Sequence, residues 1–331
     1  MKILNTRTRT ARKRNWEEYF EDQENYLQTH DNKKIYDNTG NTNYYVLNCL
    51  FIKCKISGAI YFETSNNICT LVENSVFRKC SSTSYGGSVY FYCPNSGQFV
   101  QQQVCYCESI AKFGHQAFSQ SVKKISSHKN YAKQVTVSSC GLNETTGFAT
   151  IHISNGDILI SNCNITKNKC QRLSSMNLNV HGSQGICRYS EFRENNQFYE
   201  STISHQSLRI YTPKDITNFA YCNIIGNIAG YDDVIFWCEG TTNVEFSNFM
   251  NNFAICLLQE HYRKDISLTV TNSFIYHQNI ITRGNVTITN LISESNNNYF
   301  PFFYTDNCFF DPKITQSNDV YGILHSKYLR R

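Results

Sequence analysis

Apolar side chains recur at every second position in short runs along this chain. Val135 and Val137, Ile158 and Ile160, Val244 and Phe246, Leu268 and Val270, and Val286 and Ile288 alternate with Thr, Glu, Ser or Leu. A period of two marks a strand with one buried face. Each run leads into a four-residue phrase: a polar residue, often Asn, then Cys or Ser, then any residue, then a large apolar one. Clear copies are Asn48-Cys49-Leu50-Phe51, Asn74-Ser75-Val76-Phe77, Asn162-Cys163-Asn164-Ile165, Asn272-Ser273-Phe274-Ile275 and Asn307-Cys308-Phe309-Phe310. Degenerate copies begin at Tyr106, Ser139, Tyr189, Tyr221, Asn248 and Asn290.

From Asn48 to Asn307 the mean period is close to 26 residues. Self-similarity at that spacing means a solenoid. After the phrase, a second short strand ends at a repeated Cys or Asn: Cys54, Cys80, Asn168, Asn195 and Asn252. A third follows a glycine turn, as in Gly58-Ala59-Ile60-Tyr61-Phe62 and Gly86-Gly87-Ser88-Val89-Tyr90-Phe91. Strands this short bury a face only by stacking period on period. A leucine-rich horseshoe needs regular Leu, which is missing here. A β-helix needs recurrent Asn, Cys or Ser at its turns, where identical side chains stack into ladders. The expected fold is all-β, a right-handed parallel β-helix of about eleven rungs with an asparagine ladder. Its hand follows the general rule for parallel crossovers.

The expected organisation is a basic flexible tail over residues 1–14, a capping helix and linker over 15–43, the β-helix over 44–312, and a cap or tail over 313–331. Asn15-Trp16-Glu17-Glu18 is a near capping box, and Trp16, Tyr19, Phe20 and Leu27 would share one helical face.

Composition sharpens this picture. Hydrophobic residues make up 40% and aromatics 14%, while charged residues reach only 17% and Pro numbers 4. That is the profile of a folded, strand-rich chain and not of a disordered one. The net charge is +5, and Lys2, Arg7, Arg9, Arg12, Lys13 and Arg14 crowd the first fourteen residues. The remainder is near neutral, so no nucleic-acid face is expected. No secretory leader is visible in residues 1–14. No apolar run approaches the roughly 18 residues that span a bilayer. A cytoplasmic chain is the default expectation.

The phrase Asn-Cys-x-Phe-x-x-Cys followed by Gly-Ala-Ile-Tyr-Phe or Gly-Gly-Ser-Val-Tyr-Phe resembles the β-helix repeats of polymorphic outer-membrane adhesins. It is similar to β-helix surface proteins of parasitic protists and, more loosely, to pectate-lyase-like folds. The resemblance covers roughly residues 44–310. It implies a surface-associated rod that binds a polysaccharide or a protein through a flat solenoid face.

Chemistry is sparse. The polygalacturonase-like set of Asn-Thr-Asp, Asp-Asp, Gly-His-Gly and Arg-Ile-Lys is represented by Asp232-Asp233 alone. Asn195 and Asn227 are equivalent positions, so Glu200 and Asp232 should stack about 5 Å apart, the spacing of a retaining glycosidase. Glu200, Asp232 and Asp233 are therefore weak catalytic candidates, weighed against plain solvent-facing acids. The 15 cysteines are expected as reduced core residues, with Cys54 over Cys80 and Cys140 over Cys163 as rung neighbours within disulfide reach. Cys105-Tyr106-Cys107 lacks metal-ligand spacing, and no metal or cofactor is expected. Sequons stand at Asn143, Asn164 and Asn285. Exposed Tyr or Phe along a rung face could stack on sugars, against the plainer reading of aromatic ladders in the core. Three functions follow: a non-enzymatic binding or structural rod, a polysaccharide lyase or glycoside hydrolase using the three acids, and an intracellular scaffold.

Overall fold

The computed structural model describes residues 15–21, 26–181, 184–197, 203–206, 216–230, 234–261, 266–276 and 282–296. Short strands dominate them, paired in parallel from one turn to the next. One turn shows the plan: Asp157–Ser161 on a first face, Asn164–Thr166 on a second and Leu173–Asn179 on a third. The following turn lies in register beneath it, with Ile158 opposite Gly185, Ile165 opposite Phe192 and Met176 opposite Ile203. The first two faces merge into an 18-stranded sheet, because Gln98–Cys107 and Lys129–Ser138 run through the corner between them; the third face is a 10-stranded sheet.

The chain is thus a parallel β-helix of about eight turns, fewer than the eleven expected. The difference lies partly at the C-terminal end. Asn290 closes the strand Val286–Thr289, and no strand follows it among the described residues. Asn307 lies outside them. Eight turns at ~4.8 Å give a rod of about 40 Å.

Two corners repeat along the rod, each turned by one residue in the left-handed region. At the first corner these are Asn48, Asn74, Gln103, Gln134, Asn162, Tyr189, Tyr221, Phe246, Asn272 and Asn290, with φ between 47° and 57°. At the second they are Lys53, Lys79, Glu108, Ser139, Lys167, Glu194, Gly226 and Asn251. Asn tolerates this conformation best among residues with a Cβ, which is why it marks the first corner so often. Three corners differ from those expected. The turn falls at Gln103, Gln134 and Phe246, not at Tyr106, Ser139 and Asn248. Gln103 and Gln134 are followed by Val, so no polar phrase marks them; Ser139 belongs to the second corner.

Behind eight of these corner residues the next main-chain N–H is tied to an inward serine or asparagine of the following turn. After the first corner, the main-chain N–H of Cys49, Cys163, Cys222 and Ser247 donates to Oγ of Ser75, Ser190, Ser247 and Ser273, at 3.1–3.2 Å. After the second, the N–H of Cys140, Asn168, Asn195 and Asn227 donates to Oδ1 of Asn168, Asn195, Asn227 and Asn252, at 2.9–3.0 Å. The Nδ2 groups of Asn168, Asn195 and Asn227 donate to the same oxygens. Each also reaches back to a carbonyl of the preceding turn, that of Val137, Ile165 or Phe192. Every polar atom of these buried amides is therefore occupied. The register places Cys140 over Asn168, so the expected pairing of Cys140 with Cys163 is corrected: Cys163 belongs to the first-corner column. Cys54 does stack on Cys80.

The lumen is filled by one continuous apolar cluster. Phe51, Phe77 and Tyr106 stack at 4.9 and 4.8 Å, with nearly parallel rings. Tyr106 is fully buried and donates its hydroxyl to Gln101 (2.6 Å), which donates to Gln120 (2.6 Å), which donates to Asn130 (2.7 Å). Asn130 donates in turn to the carbonyls of Ser154 and Asn155. A polar chain crosses the core without an orphaned phenol.

The N-terminal helix covers residues 15–20, and Tyr26–Thr29 and Ile35–Asp37 are strands within the stretch expected as helix and linker. Leu27, expected on the helix, is an exposed strand residue. The helix lies on the outer side of the first face. There Tyr45, Leu71 and Val100 face outward, and Trp16, Tyr19 and Phe20 bury themselves against this patch. Tyr19 donates to Gln102 (2.7 Å) and accepts from Lys133 (2.7 Å), and Asn15 donates to Glu73 (2.7 Å). Apolar residues on both sides of these strands called for a cover, and the helix supplies it.

Replacing Asn195 by Ala strips an acceptor from Asn168 and a donor from Ile165 inside a dry column. At about 1–3 kcal/mol for each group left unpaired, Asn195→Ala should lower stability by at least about 3 kcal/mol in urea unfolding. A change within about 0.5 kcal/mol would contradict this role.

Candidate functional site

Along the third face, side chains alternate between lumen and solvent. In Ile60–Glu63 and Val89–Tyr92, Ile60, Phe62, Val89 and Phe91 enter the core, so Tyr61, Glu63, Tyr90 and Tyr92 stand outside. The register puts Tyr36 opposite Tyr61, Tyr61 opposite Tyr90, and Glu63 opposite Tyr92. Ring centroids are 5.0 Å apart between Tyr36 and Tyr61 and 5.1 Å between Tyr61 and Tyr90. Tyr85 and Tyr92 flank Tyr90 with nearly parallel rings, at 5.6 and 6.2 Å. Tyr90 is thereby covered, whereas Tyr36, Tyr85 and Tyr92 are 58%, 51% and 42% exposed. Five tyrosines in mutual contact form an aromatic surface on the outside of the rod.

Beside this surface runs a groove of about 550 Å³, within the range that small ligands occupy. Glu63 and Tyr92 form one wall, and Asn38, Thr39, Asn66 and Asn95 supply amides and a hydroxyl. Three stacked turns build it. In the first, the Asp37 carboxylate accepts from the N–H of Thr39 and Gly40, the hydroxyl of Thr39 and the phenol of Tyr44. Burial alone would raise the pKa of Asp37, but these hydrogen bonds together hold it below the usual value. Gly40 has φ +65°, and a Cβ there would lie 2.3 Å from Oγ1 of Thr64. Asn66 donates to the carbonyl of Thr39 (2.6 Å), and Ser96 to that of Ser65 (3.1 Å), joining the turns. Tyr61 donates to Glu63. Burial, then the nearby Glu63 carboxylate, pushes the phenols of Tyr61 and Tyr90 up, so they stay donors at physiological pH.

A second feature of the third face is a pair of imidazoles. His115 and His152 stack at 4.6 Å with 11° between planes, and the ring of Phe148 meets His115 edge-on. Nδ1 of each is sealed from solvent without a hydrogen-bond partner. Burial, then His152 itself, depresses the pKa of His115 strongly, and burial takes His152 down to about 4. The register sets Ser119 and Asn177 on either side of His152, and no group of three or more metal-binding side chains occurs among the described residues.

The expected catalytic candidates Glu200, Asp232 and Asp233 lie outside the described residues, although Asn195 and Asn227, from which their stacking was derived, do stack. The sequon Asn164 is 6% exposed inside the stacked strands, which leaves no room for a glycan; Asn143 and Asn285 are exposed. No phrase in the sequence marks the tyrosines of the third face one by one. The signal was present in the in-register strings Ile60-Tyr61-Phe62 and Val89-Tyr90-Phe91, whose alternation sends Phe inward and Tyr outward.

The fold and this surface define the class as a parallel β-solenoid with an aromatic outer face. No protein-family model matches the chain, and neither a curated protein nor a solved structure matches it. No helix among the described residues is long and apolar enough to cross a membrane.

Unfolded imidazoles take up a proton near pH 6.5, whereas folded His152 does so only near 4. The stability that the neutral pair supplies above pH 6.5 is therefore lost as pH falls from 6.5 toward 4. The loss should approach about 1.4 kcal/mol per pH unit for each imidazole. His152→Phe should flatten the pH dependence of the urea midpoint over that window.

Proposed function

We propose that the chain is a non-enzymatic binding rod whose tyrosine surface and adjoining groove take up a neutral polysaccharide. The observation that carries this reading is the in-register column of Tyr36, Tyr61 and Tyr90, continued sideways by Tyr85 and Tyr92. Phenol rings offer apolar surface to the C–H faces of a sugar while their hydroxyls bond its oxygens. The groove beside them adds side-chain amides, a hydroxyl and one carboxylate. The carboxylate of Glu63 would repel an acidic chain and accept hydrogen bonds from a neutral one. A repeat of ~4.8 Å along the rod suits a ligand that is itself a repeating polymer.

The test is a binding screen of the purified chain against neutral and acidic polysaccharides, with product release scored alongside. Binding to a neutral glycan is expected, without oligosaccharide release. Tyr36→Ala and Tyr92→Ala should each weaken it about fivefold, on the order of 1 kcal/mol per ring. Release of oligosaccharides that Glu200→Gln or Asp232→Asn abolishes would overturn the reading in favour of a glycoside-cleaving enzyme. Binding indifferent to both tyrosine changes would remove the surface from consideration.

A further inference from the structure

Two thiols meet where the first described second-face strand stacks on the next. Ile52 pairs with Arg78, the N–H of Lys53 donates to the carbonyl of Arg78 (2.9 Å), and the N–H of Ser81 donates to the carbonyl of Cys54 (2.7 Å). Cys54 therefore sits directly over Cys80, with their thiols side by side. Neighbouring parallel strands are ~4.8 Å apart, within the Cα separation of roughly 4.4–6.8 Å that a disulfide spans. The two partners are unequal. Cys80 is fully buried, with its Sγ 3.6 Å from the carbonyl of Phe51, whereas Cys54 is only half-buried and reaches solvent. Lys53 and Lys55 flank Cys54 in the chain, and the positive charge of Lys34 acts on it from the neighbouring loop.

We propose that Cys54 and Cys80 form a reactive dithiol, in which the accessible Cys54 is oxidised by a hydroperoxide and Cys80 resolves it to an inter-turn disulfide. The Cys54 thiolate attacks the outer oxygen of the hydroperoxide, the O–O bond breaks, and the departing alkoxide takes up a proton to leave as an alcohol. Cys54 is then a sulfenic acid. The Cys80 sulfur attacks the Cys54 sulfur, the S–O bond breaks, and hydroxide leaves as water with the proton of the Cys80 thiol. Two thiols have lost two electrons and two protons, and one hydroperoxide has become an alcohol and a water.

Cys54 differs from the other thiols in the ways this chemistry requires. The contact with Cys80, then the charge of Lys34, holds Cys54 below the usual thiol value against the penalty of burial. Burial instead pushes Cys49 up to about 11 and Cys69, Cys93, Cys140, Cys163 and Cys238 up to about 12. Cys187 and Cys222 also make a thiol–thiol contact, but both are fully enclosed by the core. They serve as an internal control: the same contact without access.

The full chain would be treated with hydrogen peroxide under native conditions, alkylated, digested and mapped by mass spectrometry. The expected product links the peptides that contain Cys54 and Cys80, with Cys187 and Cys222 still alkylated as thiols. The rate of Cys54 alkylation in the untreated chain should reach half its maximum below the usual 8.5 of a free thiol. Cys80→Ala should leave a sulfenic acid on Cys54 that a cyclic 1,3-dione traps. Absence of the Cys54–Cys80 link in the unaltered chain, or equal linkage of Cys187 to Cys222, would overturn the proposal. So would a Cys54 that titrates like a free thiol. The decisive measurements use the unaltered chain, so a variant that fails to fold does not affect them.

Discussion

Everything in this structure depends on one hydrogen bond, repeated along two edges of the rod. A parallel strand pair satisfies its own main chain, but a solenoid must turn a corner at every face, and a corner interrupts the ladder. Here a single left-handed residue makes the turn, and the next N–H, which would otherwise be stranded inside, donates to a side-chain oxygen one turn along. A buried N–H left without a partner costs about 1–3 kcal/mol, and eight corners among the described residues meet that need in this way. Serine and asparagine meet the need because their oxygens sit close to the backbone. Cysteine replaces them where only a small apolar side chain is required, as at Cys49 and Cys222, which donate their N–H but lend no oxygen.

Corners that hold the register release the outer surface from structural duty. Side chains that point away from the lumen are then free to vary, and they do so by region. Near the N-terminal end of the first face they are apolar and lie under the short helix, with Trp16 fully enclosed. On the same turns of the third face they are tyrosines, and no comparable element lies over Tyr36, Tyr85 and Tyr92 among the described residues. One solenoid thus carries a covered apolar face and an open aromatic one. The contrast is why the proposed function rests on the third face, since a fold of this kind by itself says little about what a protein binds.

Much of the architecture was legible in the chain because the solenoid writes its constraints locally. Alternation gave strands, Asn before Cys or Ser gave corners, and the recurrent Cys54, Cys80, Asn168, Asn195 and Asn252 marked the second inward column. Legibility failed where the constraint is met by other residues. At Gln103 and Gln134 the chain passes the corner inside an uninterrupted ten-residue strand, without an inward serine or asparagine behind it. There the degenerate phrase lies three to five residues beyond the turn, and the same offset sets Cys140 level with Cys163 in place of Asn168. The helix was legible, but not its seat, because the outward Tyr45, Leu71 and Val100 are recognisable as a patch only once the strands are in register. The aromatic surface was half legible: ladders were expected inside or outside, and the structure holds both, Phe51–Phe77–Tyr106 within and Tyr36–Tyr61–Tyr90 and Tyr189–Tyr221–Phe246 without.

The most direct test of the corner account is native-state hydrogen exchange, resolved to single amides, on the intact chain. The N–H groups of Asn168, Asn195 and Asn227, which donate to side chains, should be as protected as those within the strands on either side and should exchange only by global opening. Rapid exchange at these three amides with the strands still protected would mean that the columns decorate the corners without holding them.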